Sequence, residues 1–455
     1  MLGFLNSAMS SATQRFLAFE IGKPGAKNVS SIFSMSMNIH IIIAIFVCLL
    51  GETVGLWFVQ TQMTIPVERL HAAEWVFHLS LISFAVTIVS VPYNAIIIAN
   101  ERMSIFAWVS IVDVTLKLVI VFMLGLLSMD KLILYGVLTL CVIFIVFLTY
   151  SIYRNLYVEG AKFKRFWDQE LFKTMMSYTG WNLWGNIAVV MSGQGVNVLL
   201  NLYFGPAVNA ARAIALQVSV ALNSFVQNLQ VAINPQIIKS YAENDINYMH
   251  RLVCYGAKYN FFVLLLLVAP VLMNVDNILL FWLGSVPEHT ISFLQLILIN
   301  ILIDCVSSPL MTAAQATGRI RLYQSIVGGI LLLNIPMSYL ILDLYGQPHF
   351  VVFVAICISI LALIARLLIV KNLILIPLKS FLREVVGRGG IIAINVYGFS
   401  YLLDGLDLGF ILDTLLTVCF TLLSILIFGL DSEEKSAIAK QIVVIRTRVL
   451  ARYTQ

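Results

Sequence analysis

Asp113 and Lys117 stand four residues apart inside a long apolar run, a spacing that sets both charges on one helix face within pairing reach. Arg15, Arg212 and Asp304 also fall inside apolar stretches. An ionised side chain at the centre of a bilayer costs about 3 kcal/mol or more, so each is expected to meet a partner or a hydrated cavity. Two chemistries suit these groups. Cations in a partly dehydrated cavity hold anionic oxygens, and a buried acid exchanges a proton or a small cation. The Asp113–Lys117 spacing fits an internal ion pair, and it also fits a lysine turned toward a cavity.

Neutral polar residues gather around the two arginines. Tyr178, Asn182 and Asn186 recur every four residues and continue as Gln194, Asn197 and Asn201. The next segment carries Asn209, Arg212, Gln217, Asn223, Gln227, Gln230 and Asn234, and the N-terminal segment answers with Asn6, Ser7, Ser10, Ser11, Thr13, Gln14 and Arg15. Amide-rich faces can be glue between helices. Their concentration in corresponding segments of two halves favours a hydrated central cavity instead. Such a cavity suits a polar substrate with an anionic group. The candidate substrate-contacting residues are therefore Arg15, Lys117, Arg212, Asn182, Asn186, Asn197, Asn223 and Gln227, with Asp113 and Asp304 as candidate ion-coupling acids. Enzymatic chemistry finds no footing: the six histidines form no H-x-x-x-H cluster and the six cysteines no C-x-x-C pair, so no catalytic residue, metal or cofactor is expected.

The elements that must position these residues are apolar helices. The 455 residues are 60% hydrophobic and only 11% charged, where an ordinary soluble domain is roughly a quarter charged. Thirteen apolar runs, from 1–19 to 409–430, each approach the ~20 residues that cross a hydrocarbon core. Backbone groups in lipid must be satisfied internally, so the runs are read as helices. Of the 28 Lys and Arg, twenty-one fall in alternate loops and the C-terminal tail. Only Arg69 and Lys131 lie in the opposite loops. Excess basic charge marks the cytoplasmic side, which makes the tail cytoplasmic. The net charge of +5 then reflects loop asymmetry and not nucleic-acid binding.

The chain repeats a phrase. "SVPYNAIIIANER" at 90–102 and "SSPLMTAAQATGR" at 307–319 share Ser-x-Pro-x6-Ala-x2-Arg, 307 against 90 giving an offset of 217. Leu5-Asn6-Ser7 recurs as Leu222-Asn223-Ser224 at the same offset. The duplication implies an all-α polytopic membrane protein of two pseudo-symmetric six-helix lobes plus two C-terminal helices. Residues 1–153 form an N-lobe of five helices and 174–370 a C-lobe of six. A cytoplasmic amphipathic linker at 154–173, expected as a helix on the inner leaflet, joins them. A second cytoplasmic linker at 371–388 leads to the extra helices at 389–430 and a tail at 431–455. From repeat count and charge parity, the N-lobe's missing first helix is expected before Met1. Matched lobes of one orientation are a frame for alternating access. Pro92 and Pro309 are expected to allow a bend near mid-helix.

The phrases "GFLNSAMSSATQRFLAFEIG", "SVPYNAIIIANERM" and "SYTGWNLWGN" resemble the polysaccharide-exporter branch of the multidrug/oligosaccharidyl-lipid/polysaccharide (MOP) superfamily, especially Wzx-type repeat-unit flippases. The resemblance runs over nearly the whole chain. It implies transfer of undecaprenyl-diphosphate-linked oligosaccharide from the inner to the outer leaflet of a bacterial cytoplasmic membrane. Arg15, Lys117 and Arg212 would then face one inter-lobe cavity and meet the diphosphate. It further implies membrane lipid and other polysaccharide-assembly proteins as partners, with H+ or Na+ coupling left open. A cation-coupled MATE-type multidrug antiporter, from the same superfamily, is the alternative. A glycan-assembly membrane enzyme is the third reading, and it lacks the large outer loop it would need. The charge pattern is checked by cysteine labelling in intact cells: Lys164→Cys is expected to resist an impermeant thiol reagent, and ready labelling would reverse the topology.

Overall fold

The computed structural model describes residues 3–25, 28–61, 66–126, 130–158, 160–404, 409–432 and 434–436. Most of the expected tail, with its basic residues Lys440, Arg446, Arg448 and Arg452, lies outside the described residues. Among the described residues the structure is helical, with no strand. The helices are α1 (Gly3–Ile21), α2 (Val29–Leu50), α3 (Leu56–Thr61), α4 (Val67–Ala99), α5 (Met103–Leu126) and α6 (Lys131–Tyr157). They continue with α7 (Gln169–Phe204), α8 (Pro206–Ala242), α9 (Ile246–Met273), α10 (Val275–Leu283), α11 (Thr290–Asp304) and α12 (Ser307–Ala316). The last six are α13 (Arg321–Leu332), α14 (Asn334–Tyr345), α15 (Phe350–Ile374), α16 (Leu378–Phe381), α17 (Arg388–Asp404) and α18 (Phe410–Ser424). Ten helical stretches among the described residues are long and apolar enough to cross a membrane, which makes this a multi-pass membrane protein.

The chain divides into two compact units that do not follow the repeats. One takes Met1–Val190, Val231–Met249 and Thr312–Gly329, and the other takes Met191–Gln230, His250–Met311 and Ile330–Gln455. In the first unit α4 packs against α1, α2 and α6, and Met9, Ala44 and Ile88 meet in its core. In the second, Phe262, Leu265 and Ala269 of α9 close on Ile392 and Val396 of α17. Side chains such as Val114 and Phe122 of α5 stay exposed, as expected of a helix face whose solvent is lipid.

The linker between the repeats departs from expectation. α6 ends at Tyr157 and α7 starts at Gln169, and residues 161–168 form an irregular strap in place of a helix. The reason lies in α2, which presents Ser30, Ser34 and Asn38 at a spacing of four. Ser30 Oγ donates to the Lys162 carbonyl at 2.5 Å, the Lys164 amide donates to Ser34 Oγ at 2.9 Å, and Asn38 Nδ2 donates to the Phe166 carbonyl at 2.9 Å. These side chains take up backbone groups that a helix would have paired internally. Arg154, counted from sequence as a loop cation, is buried, with its guanidinium over the Phe33 and Tyr93 rings and Nη1 donating to the Ala161 carbonyl.

The two prolines of the repeated phrase behave differently. Pro92 lies inside α4, which runs unbroken past it. Pro309 sits in the first turn of α12, after a break at Cys305–Val306. A first-turn proline costs no helical hydrogen bond. Asn260 Nδ2 donates to the Cys305 carbonyl that the break exposes, at 3.3 Å. At the loop before α6, Asp130 accepts from the amides of Leu132 and Ile133 and pairs with Arg69. Those contacts, the Ile133 amide first, hold its carboxyl below the usual range.

Lys258 is the buried charge that sequence left without a role. Its side chain is 1% exposed, and Nζ pairs with Glu434 Oε1 at 2.5 Å; Tyr259 OH donates to the same oxygen at 2.8 Å. Arg388 pairs with Asp431 and donates to the Gly429 carbonyl. The cluster fastens the segment after α18 to α9 and α17. Breaking a buried pair from one side typically costs ~3–5 kcal/mol, because the remaining charge is stranded. Lys258→Met alone is therefore expected to lower the unfolding temperature of the purified protein sharply, while Lys258→Met with Glu434→Gln recovers most of the loss. Additive losses in that double-mutant cycle would contradict the pairing.

Candidate functional site

Arg15 lies six residues before the end of α1 and is 8% exposed. Nε donates to the Gln315 carbonyl at 3.2 Å and Nη2 to the Ala316 carbonyl at 3.1 Å. These carbonyls belong to the last turn of α12, where helical geometry leaves acceptors open and the helix dipole favours a cation. Aromatic faces enclose the guanidinium, with ring centroids at 4.8 Å for Phe16, 4.6 Å for Phe19 and 5.6 Å for Tyr178. Cation–π attraction of this kind strengthens as water is excluded. Ser11 Oγ donates to Gln315 Oε1 at 3.2 Å. Gly318, two residues beyond α12, has φ +76°, and a Cβ there would stand 2.8 Å from Arg15 Nη2. Both the backbone conformation and the close approach call for glycine.

A second clasp in the same unit joins the counterpart segments. Lys239 of α8 pairs with Glu101 Oε1 at 2.6 Å just after α4, and Thr312 Oγ1 donates to Asn234 Oδ1 at 2.8 Å. A Cβ on Gly22 would lie 2.7 Å from Lys239 Cα, so the two segments touch at backbone level. Glu101 and Gly318 stand at the repeat offset of 217, and both have positive φ, +58° and +76°. Each is followed by the arginine of the repeated phrase, Arg102 and Arg319.

The other candidates fall into local groups. Asn182 is buried in the first unit, accepting from Gln324 Nε2 at 3.0 Å, while its own Nδ2 is buried without a partner. Asn186 Nδ2 donates to the Asn182 carbonyl at 2.9 Å. In the second unit Arg212 donates through Nη1 to Asn197 Oδ1, and Asn197 passes the chain on to Gln194 at 3.2 Å. Asn209 Nδ2 donates to the Asn197 carbonyl at 2.9 Å. Arg212 Nε is buried with no hydrogen-bond partner among the described residues. Asn223 is half-buried and Gln227 exposed on α8, next to a buried Gln230 whose amide atoms have no partner. The sites of Arg15 and Arg212 thus belong to separate compact units.

Lys117 pairs with Asp113 at 2.7 Å, and its side chain is 56% exposed. The structure therefore shows the ion pair, and shows it on the open side of α5. Asp304 ends α11, where it accepts from Asn300 Nδ2 at 3.1 Å. Arg366 of α15 has Nε and Nη1 buried without hydrogen-bond partners. Among the described residues no group of three or more His, Cys, Asp or Glu could hold a metal ion. Sequence reasoning missed Gln324 and Gly318, because their significance comes from what they touch more than 100 residues away. The shared positive φ at the 217 offset was also hidden.

The sequence matches no family model and no curated protein. The fold does match solved structures. One is a multidrug resistance MATE family transporter of the MOP superfamily in an outward-facing conformation, 14% identical, TM-score 0.69, covering 82% of this chain and 84% of that one. A MATE in the straight conformation is 14% identical with TM-score 0.70 over the same shares, 82% and 84%. A MOP superfamily transporter from Pyrococcus furiosus, described as having a binding pocket of reverse polarity that suggests a different function, is 15% identical, TM-score 0.69, covering 84% and 85%. At these identities the likeness establishes the fold, which is of MATE type.

The Arg15–Gly318 contact is tested by two alanine variants. Gly346 also has positive φ, +62°, with open space where a Cβ would go. Gly346→Ala is expected to cost about 1–2 kcal/mol of backbone strain. Gly318→Ala should cost at least ~1 kcal/mol more, because Arg15 must leave its carbonyls. Equal shifts in thermal unfolding would show that Arg15 does not depend on this glycine.

Proposed function

We propose that the protein is a transporter that moves an undecaprenyl-diphosphate-linked oligosaccharide, such as a repeat unit of a surface polysaccharide, from the inner to the outer leaflet of a bacterial cytoplasmic membrane by alternating access. The observation that carries this reading is the state of the two arginines. Arg15 and Arg212 are drawn into the protein by carbonyls, amides and aromatic rings, and no carboxylate pairs with either among the described residues. A cation held by neutral partners keeps its charge for a ligand. Diphosphate oxygens match guanidinium forks through charge-assisted hydrogen bonds. The fold's likeness to the Pyrococcus furiosus transporter supports the reading, since that protein's pocket is described as reversed in polarity. On this reading the segment after α18 faces the cytoplasm.

One observation favours a second reading, a cation-coupled MATE-type antiporter. Asp304 is a half-buried acid that accepts a hydrogen bond from the neutral Asn300, and a neighbour in fold is described as a multidrug resistance transporter. Asp113 is a weaker coupling candidate because Lys117 already neutralises it.

Replacing a charged group that meets a charged ligand typically costs ~2–5 kcal/mol. Arg15→Gln and Arg212→Gln are each expected to reduce surface glycan at least about tenfold at matched protein levels, while Asp113→Asn leaves it unchanged. Normal export by both arginine variants would remove the diphosphate reading. Loss of drug resistance and not of glycan in Asp304→Asn would favour the antiporter.

A further inference from the structure

The C-terminal part of α1, the start of α7 and the turn between α12 and α13 line an open-sided pocket of about 600 Å3, and Arg15, Lys173, Arg319 and Arg321 are among its lining residues. No carboxylate is among the lining residues. Arg15 is the buried member, and the other three are exposed. None of the four is in an ion pair among the described residues. Four like charges lining one pocket repel one another. An anion entering the cavity relieves all of these repulsions together.

The remaining lining narrows the anion's chemistry. The hydroxyls of Ser177 and Thr317 stand among the cations, and α13 begins at Arg321, so its first-turn amides open at this wall. Arg321 lies over the Trp181 ring at 5.4 Å, which orients its guanidinium. A carboxylate, with two oxygens and one charge, would leave most of these donors unused. A diphosphate, with its several charged oxygens, uses forked guanidinium donors, a point-charge lysine and hydroxyls at once.

We infer that this cavity is a phosphoanion site that takes the diphosphate head of the lipid-linked substrate. The source of the phosphate rests on the transport reading, and the site itself does not. Two sources of phosphate are on offer in a membrane, the substrate's diphosphate and the head of an anionic phospholipid. The full chain is purified into neutral phosphatidylcholine nanodiscs, and inorganic pyrophosphate binding is measured by calorimetry. It is compared with Arg319→Gln/Arg321→Gln and with the control Lys371→Gln, which lies outside the cavity. Both arginines are exposed, so the variant is expected to melt with the parent.

Pyrophosphate should bind the parent and the control equally, and bind the double variant at least about tenfold more weakly. Binding should also weaken as salt rises. No binding by the parent, or equal binding by a double variant that still melts normally, would overturn the site. Native mass spectrometry of nanodiscs doped with undecaprenyl diphosphate or phosphatidic acid then separates the sources. Preferential, arginine-dependent retention of undecaprenyl diphosphate supports the substrate's head. Preferential retention of phosphatidic acid supports the phosphoanion chemistry and overturns the substrate as its source. A protein that binds pyrophosphate through these arginines and yet moves no lipid-linked oligosaccharide keeps the site and loses the transport reading.

Discussion

A polar group in hydrocarbon must find its partner inside the protein, and this structure depends on that constraint throughout. It makes every apolar run a helix. It also decides where helices can stop, because each end exposes carbonyls or amides that lipid cannot satisfy. The α11–α12 break keeps the Cys305 carbonyl paired through Asn260. The end of α12 keeps its last-turn carbonyls paired through Arg15. The strap at 161–168 exists because Ser30, Ser34 and Asn38 supply from α2 what a helix would have supplied from within.

The same constraint sorts the charges. Asp113 meets Lys117 one turn away, and Lys258 meets Glu434. Those pairs are internally neutral and hold structure. Arg15 and Arg212 are satisfied by neutral groups instead, so their positive charge is retained. Arg319 and Arg321, in no ion pair among the described residues, line the same pocket as Arg15. Positive charge that the protein does not cancel is the feature from which the functional reading grows.

Much of the fold was legible because periodicity and length in an apolar run are local properties. The repeated phrase was legible too, and the structure gives it a conformational counterpart in the positive φ of Glu101 and Gly318. Charge pairs four residues apart, as in Asp113 and Lys117, could be read directly. What stayed hidden was set by distant contacts. Nothing local in the sequence marks Lys258, because its partner lies 176 positions away. The strap looked like an amphipathic helix because alternating aromatic and basic residues carry no trace of the hydroxyls waiting on α2. Asn182 was read as cavity-facing, and its bond to Gln324, 142 positions distant, could not be seen in the chain. Gly318 gave only the signal of a glycine before an arginine, and its close approach to Arg15 needed the third dimension.

We propose that cations without carboxylate partners in this MATE-type fold carry a lipid-linked diphosphate across the membrane. The most direct measurement is leaflet accessibility of a fluorescent undecaprenyl-diphosphate oligosaccharide in sealed vesicles, with and without the purified protein. Starting from label confined to one leaflet, protein-dependent exposure of the glycan on the other is expected, abolished when Arg15 and Arg212 are both replaced by Gln. Equal exposure in protein-free vesicles, or transfer that persists in the double variant, would contradict it.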